Sequence, residues 1–189
     1  NFVDQGWSIK QLQRLIVLSS TFQQSSFGPT DDALRTEALS IDPDNRLLWR
    51  MSPKRLTFEE FRDSLLTSAN DLDRSIGGRA SELFSMPYPK RRTLYGLVDR
   101  QFLPGTLRMF DFANPDLHVP QRAETTVPGQ ALFFMNHPLL LERARALAAS
   151  TRTLTESLPP TGQDVSMEAR IVAMFQRVLQ RAPNAAEVG

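Results

Sequence analysis

Apolar positions along the chain fall into short helical sets separated by proline and glycine breaks. The first set opens at Trp7-Ser8-Ile9-Lys10-Gln11-Leu12. Ser8 fits the N-cap, Gln11 the N3 position, and Trp7 is placed to staple onto Leu12, so the pattern predicts a helix to about Phe22. Its apolar residues, Leu12, Leu15, Ile16, Val17, Leu18 and Phe22, cover more than one stripe, and the expectation is a helix that anchors the core. Between Ser25 and Asn45 the periodicity is lost, and Gly28-Pro29 and Asp42-Pro43 break the chain, which reads as a long loop.

The same start device recurs at Leu56-Thr57-Phe58-Glu59-Glu60-Phe61, with Thr57 as cap, Glu60 at N3 and Leu56 facing Phe61. Phe58, Phe61, Leu65 and Leu72 form the apolar set of the helix that follows, and Gly77-Gly78 is the expected stop. Thr93 to Val98 is the one stretch with β-branched and aromatic residues in alternation, and it reads as a short strand or extended segment. Pro104 opens a short helix, while Asn114-Pro115 and Val119-Pro120 impose extended geometry. Pro128 and Pro138 each suit N1 of a helix, the first running through Met135 and the second to about Ala149, with Asn136-His137 as the tight joint between them.

Thr151 to Asp164, with Pro159-Pro160-Thr161-Gly162, reads as a loop or linker. The final full helix, from about Ser166 to Gln180, carries Ile171, Met174, Phe175, Val178 and Leu179 on one face and should dock by it. Asn184 and Glu187 then signal a further helix start, and the chain stops at Gly189, which suggests a polypeptide that continues. The fold class is therefore mainly α, an irregular helical domain with long ordered loops and at most one or two short strands. Its expected organisation is a main helical domain over 1–150, a linker over 151–164, and a C-terminal helix with the start of another over 165–189.

Composition excludes several functions. The 22 Lys+Arg and 21 Asp+Glu leave a net charge of +1, which offers no electrostatic footprint for nucleic acid or for adsorption to a membrane. Apolar runs such as Ala131 to Met135 are far too short to span a bilayer. The absence of cysteine removes disulfides, thiolate nucleophiles, Cys-ligated zinc and haem attachment through C-x-x-C-H. The chain begins at Asn1, so any targeting signal would lie upstream of it.

Signatures for serine hydrolases, zincins, dinucleotide folds and P-loops are missing. His118 and His137 are the two histidines; His137, between Asn136 and Pro138, reads as a joint residue, and no metal site or cofactor is expected. Asp42, Asp44 and Asn45 offer oxygen ligands, but Arg46 stands where a calcium loop needs its third ligand, so Asx-turn capping is favoured. Glu59 and Glu60 sit in the first turn of a helix, where dipole and capping account for them. Lys90-Arg91-Arg92 could hold an anion, though a solvated or salt-bridged entrance to the extended segment is the plainer reading. Trp7, Trp49, Tyr88 and Tyr95 fit core and interface positions better than stacking platforms.

The candidate site is the stretch from Asp111 to Asn136, where Arg122, Glu124, Thr125, Thr126, Gln130 and Asn136 crowd a helix start with free N–H donors. Arg91, Arg92, Asp111, Arg122, Thr126, Gln130 and Asn136 form the candidate cluster, either as one ligand cleft or as structural partners. In the structural version Arg122 pairs with Asp111 while Thr126 and Gln130 satisfy backbone groups.

Four strings carry a family resemblance: Gly6-Trp7-Ser8-Ile9-Lys10; Asp42-Pro43-Asp44-Asn45-Arg46-Leu47-Leu48-Trp49-Arg50; Arg91-Arg92-Thr93-Leu94-Tyr95; and Thr125-Thr126-Val127-Pro128-Gly129-Gln130-Ala131-Leu132, followed by Asn136. Together they resemble the planctomycete-specific conserved domain of unknown function found near the C-terminus of large proteins with upstream cytochrome-c-like domains. Gly129 departs from that pattern, which more often has a polar residue there. The resemblance implies an exported, extracytoplasmic, multidomain bacterial protein and transfers no catalytic residue. The leading expectation is a noncatalytic module that packs on or positions neighbouring domains. Its rivals are an enzyme or glycan-handling domain for acidic or sulfated polysaccharide, and a docking surface for a cytochrome-c-like domain.

Overall fold

The computed structural model describes residues 2–156 and 167–188. Among them are α1 (Ile9–Val17), α2 (Asp32–Ile41), α3 (Phe58–Ser68), α4 (Gly105–Met109), α5 (Pro128–Asn136), α6 (Pro138–Glu156), α7 (Met167–Leu179) and α8 (Ala185–Val188), with a 3-10 turn at Thr93–Tyr95. The fold is mainly helical, and no β-sheet is present among the described residues. No described helix is long and apolar enough to cross a membrane. Contacts divide the chain into two compact units, Asn1–Arg55 and Leu56–Gly189, a boundary inside the 1–150 segment expected as the main domain.

In the first unit Ser8 caps α1, its Oγ accepting from Gln11 N at 3.4 Å. The helix ends at Val17, short of the expected Phe22, because Ser19 intervenes. Its Oγ donates to Ile16 O at 2.7 Å and accepts from Phe22 N at 3.2 Å, turning the chain. Contrary to expectation α1 anchors no core: it contains no buried residue, and Leu15, Ile16, Val17, Leu18 and Phe22 are exposed. The expected long loop contains α2, started by Asp31, whose Oδ1 accepts from Ala33 N and Leu34 N at 2.8 and 3.3 Å.

The interior of this unit is polar. Its buried residues are Asp42 and Asn45. The Asp42 carboxylate accepts from Arg46 N and Leu47 N at 2.9 and 2.7 Å, and its carbonyl accepts from Trp49 Nε1 at 2.9 Å. Asn45, at φ +57, donates to Arg50 O and Ser52 Oγ, both at 2.8 Å. The side-chain oxygens of Asp42 and Asn45 are therefore committed to the loop's own amides, Asn45 Oδ1 accepting from Arg50 N at 3.2 Å, as Asx-turn chemistry favours. Gly28 closes against the Trp49 ring so tightly that a Cβ would lie 2.4 Å from Cζ3.

In the second unit the expected capping box of α3 is complete. Glu60 N donates to Thr57 Oγ1 at 3.3 Å and Thr57 N to Glu60 Oε2 at 2.8 Å. The helix stops at Ser68, before Gly77-Gly78, because Asn70 at φ +59 supplies the left-handed residue of a Schellman motif: Asp71 N reaches Leu66 O at 2.8 Å and Asn70 N reaches Thr67 O at 3.0 Å. Phe58, Leu107 and Phe133 form the buried core, with Phe84, Leu103, Met109, Phe110, Phe112 and Leu140 packed around it. Rings meet tilted or edge-on, with Phe58 to Phe110 at 5.2 Å and Phe110 to Phe133 at 5.3 Å.

The stretch expected as a strand, Thr93 to Val98, starts as the 3-10 turn and pairs only through one isolated bridge, Ser81 with Gly96, with a second bridge, Asp73 with Arg91, just before it. Pro128 and Pro138 open α5 and α6 as expected, and His137 is the joint. His137 N donates to Phe133 O at 3.0 Å, its Nδ1 accepts from Leu139 N at 3.2 Å, and its ring lies 4.3 Å from that of Phe133. The segment expected as a linker from Thr151 is helical to Glu156, and 157–164 lie outside the described residues. On α7, which packs on α6 and α3, Ile171, Met174 and Phe175 are half-buried. Asn184 and Glu187 cap α8 reciprocally at 2.9 and 3.0 Å. Arg181 also grips Glu187, and with that bidentate bond as the main cause its carboxyl falls to about 2.

Gly96 packs against buried Leu83, whose Cδ1, Cγ and Cδ2 would all lie within 2.9 Å of an added Cβ. Gly96→Ala is expected to destabilise by about 1–3 kcal/mol in urea unfolding. Gly129→Ala, which meets chiefly the mobile thioether of Met109, should cost less. Burial holds the His137 pKa below its ordinary value, so in the window below about pH 6.5 the unfolded chain binds the proton more readily. Stability is then complete above that pH and declines as pH falls toward the lowered folded value. The urea midpoint at pH 5.5 should lie below that at 7.5, by a margin that shrinks in His137→Gln.

Candidate functional site

The polar residues of the second unit are organised by α3. On its buried side Arg62 is fully buried, and its Nη1 donates to Arg91 O at 3.0 Å and Thr93 Oγ1 at 3.1 Å, while Nη2 reaches Pro89 O. Burial lowers the Arg62 pKa, and Asp63 opposes that shift. Asp63 completes the clasp: its Oδ1 accepts from Thr93 N and Thr93 Oγ1, both at 2.7 Å. Consecutive residues of one helix turn thus hold the irregular chain around 89–93.

This clasp fixes where Arg91 and Arg92 go. Arg91 lies over the Tyr95 ring at 4.1 Å and donates to Arg79 O at 2.9 Å and to Gly77 O. Gly77 and Gly78, both at positive φ, serve this strap rather than ending α3. Arg92 points outward, its Nε 3.6 Å from Asp63 Oδ2 and its side chain about half exposed. Lys90 Nζ meets Asp71 Oδ1 at 2.6 Å, and the other oxygen of Asp71 takes buried Arg143 of α6. Of the basic triplet, Arg92 alone is held only by a long ion pair through Nε, which leaves its terminal nitrogens turned to solvent.

The remaining candidates form two groups. Asp111, at φ +57 just past α4, accepts from Thr125 N at 2.8 Å and Thr125 Oγ1 at 2.9 Å. Gln130 is buried, donating to Met109 O at 2.8 Å and Thr125 O at 3.3 Å and accepting from Val127 N at 3.4 Å. The expected pairing of Arg122 with Asp111 does not form. Arg122 instead meets Glu59 of α3 at 2.8 Å and stacks over Phe112 at 4.7 Å. Thr126 is exposed on the approach to α5, and Asn136 is exposed as its last residue.

Two of the seven candidates, Arg92 and Arg122, share a cavity of about 410 Å³ beside α3, with Glu59, Glu60 and Asp63 on its polar wall and Leu83, Val98 and Leu107 on its apolar one. Three carboxylates there face two guanidinium groups, each already near an acid. The wall carries one net negative charge and disfavours an anion. Among the described residues no group of three or more His, Asp or Glu side chains is arranged to hold a metal ion.

Sequence reasoning missed Arg62, Asp63 and Asp71. One signal was present: Arg62 lies four residues after Phe58 and four before Leu66, a charge on the apolar stripe of α3. Such a charge is tolerated only where it is paired. Arg62→Met should cost about 3 kcal/mol or more, because it strands buried carbonyls and Asp63. Arg122→Met, which breaks a partly exposed pair, should cost no more than about 1 kcal/mol. Urea unfolding of both variants checks the contrast.

No curated protein and no solved structure matches the chain. The family model described as a protein of unknown function, DUF1553 (PSD1), covers residues 1–189, and the chain belongs to that family.

Proposed function

We propose that this chain is a noncatalytic helical module of a large exported multidomain bacterial protein, and that it packs on or positions neighbouring domains. The observation that carries this reading is uncovered apolar surface. Trp7, Ile9 and Leu18 on and beside α1 are 66, 64 and 56% exposed, and the unit they belong to buries no hydrophobic residue of its own. Patches of this kind belong to interfaces.

The polar clusters support the same reading. Asp111, Thr125 and Gln130 satisfy one another and nearby backbone, and the carboxylates beside α3 are committed to Arg122, Arg92, Thr93 and the cap of Thr57. None is held as a free acid, base or nucleophile. On this reading the covering partners are neighbouring domains of the same polypeptide in an extracytoplasmic compartment, as the sequence resemblance implies.

Hydrogen exchange tests the reading when the chain alone is compared with the same residues inside the parent polypeptide. Amides of α1 should slow by roughly tenfold or more in the parent, as a covered helix requires. Equal exchange in both settings, or specific substrate turnover by the chain alone, would sink it.

A further inference from the structure

On the side of α3 toward α7 lies a groove of about 640 Å³ whose charge balance is opposite to that of the net-acidic cavity. Arg74, Arg92 and Arg177 line it, against the single carboxylate of Asp63. That carboxylate is committed, one oxygen to Thr93 and the other facing Arg92 Nε. The guanidinium groups, by contrast, retain unused donors. Arg74 makes no hydrogen bond or ion pair among the described residues, and Arg92 engages only Nε, at 3.6 Å. Arg177 is half-buried and anchored through Nε to Ser68 O at 2.5 Å, the carbonyl at the end of α3, which aims its terminal nitrogens without occupying them.

We propose that this groove binds an acidic oligosaccharide, one bearing sulfate or carboxylate groups. Arginine forks pair bidentately with such groups, and three guanidinium groups with unoccupied terminal nitrogens on one groove would otherwise repel one another. The rest of the lining selects the ligand's class. Ser64 and Ser68 supply hydroxyls, suited to partners that both donate and accept, while Ile76, 94% exposed, offers an apolar surface for a sugar face. An acidic peptide would need either a free strand edge or a continuous apolar trough. The described residues around the groove contain no strand, and its lining is mixed.

The test is calorimetric titration of the whole chain with a chondroitin 6-sulfate tetrasaccharide, with cellotetraose as its neutral counterpart and hexaglutamate as the acidic peptide. The sulfated saccharide should bind, more weakly as salt rises, and cellotetraose should not. Arg74→Glu, at an exposed position without partners, should retain the helical circular dichroism spectrum and weaken binding by roughly tenfold or more. Arg108→Glu makes an equal change of charge outside the groove and should leave affinity within about twofold, since distant exposed charges are screened. No binding of the tetrasaccharide, undiminished binding by Arg74→Glu, or tighter binding of hexaglutamate overturns the proposal.

Discussion

A guanidinium taken wholly out of water must find acceptors for its donors, and Arg62 finds them for both terminal nitrogens, though not for Nε, in a part of the chain about thirty residues away. Burying its charge costs several kcal/mol before compensation. The carbonyls of Pro89 and Arg91, the Thr93 hydroxyl and the neighbouring Asp63 supply that compensation. The reciprocal constraint matters more: those irregular backbone groups lie against α3, without a sheet to pair them, and Arg62 is what satisfies them. The bridges of Asp73 with Arg91 and Ser81 with Gly96 hang from the same point. Arg143 and Lys90 add a second tie through Asp71, joining α6 to the chain just beyond α3.

From this clasp follows the division of labour among neighbouring arginines. Once the backbone at 91–93 is fixed, Arg91 is turned back onto Tyr95 and the Gly77 and Arg79 carbonyls, and Arg92 is turned out. Arg92 lies between two recesses of different character, one made net acidic by the carboxylates of α3, the other bordered by Arg74 and Arg177. The clasp thereby sets which charges remain for a ligand, while the apolar surface around α1 concerns a different unit and a different kind of partner.

What the sequence made legible was local chemistry. Ser8, Thr57 with Glu60, Pro128, Pro138 and Asn184 with Glu187 start helices because capping involves residues within one turn of each other. Helix ends were read less well. Ser19 and Asn70 stop helices through a side-chain bond and a left-handed residue, whereas the expected glycine pair at 77–78 serves the Arg91 strap. Asp31 was a readable cap for α2, hidden between two proline breaks. The candidate cluster was legible in part: Gln130 does satisfy backbone, but Arg122 crosses to Glu59, 63 residues away, a pairing that no local pattern encodes. Arg62 carried a visible anomaly, a charge on an apolar stripe, but not the identity of its partners.

The most direct test is native-state hydrogen exchange on the intact chain and on Arg62→Met, read at the amides of Asp73, Ser81 and Thr93 and at those of α7. If Arg62 holds the irregular segment, these three amides in the variant open well below the free energy of global unfolding, while α7 still opens near the global value. If all of them keep exchanging together in the variant, the segment is held by other contacts, and the account built on Arg62 is wrong.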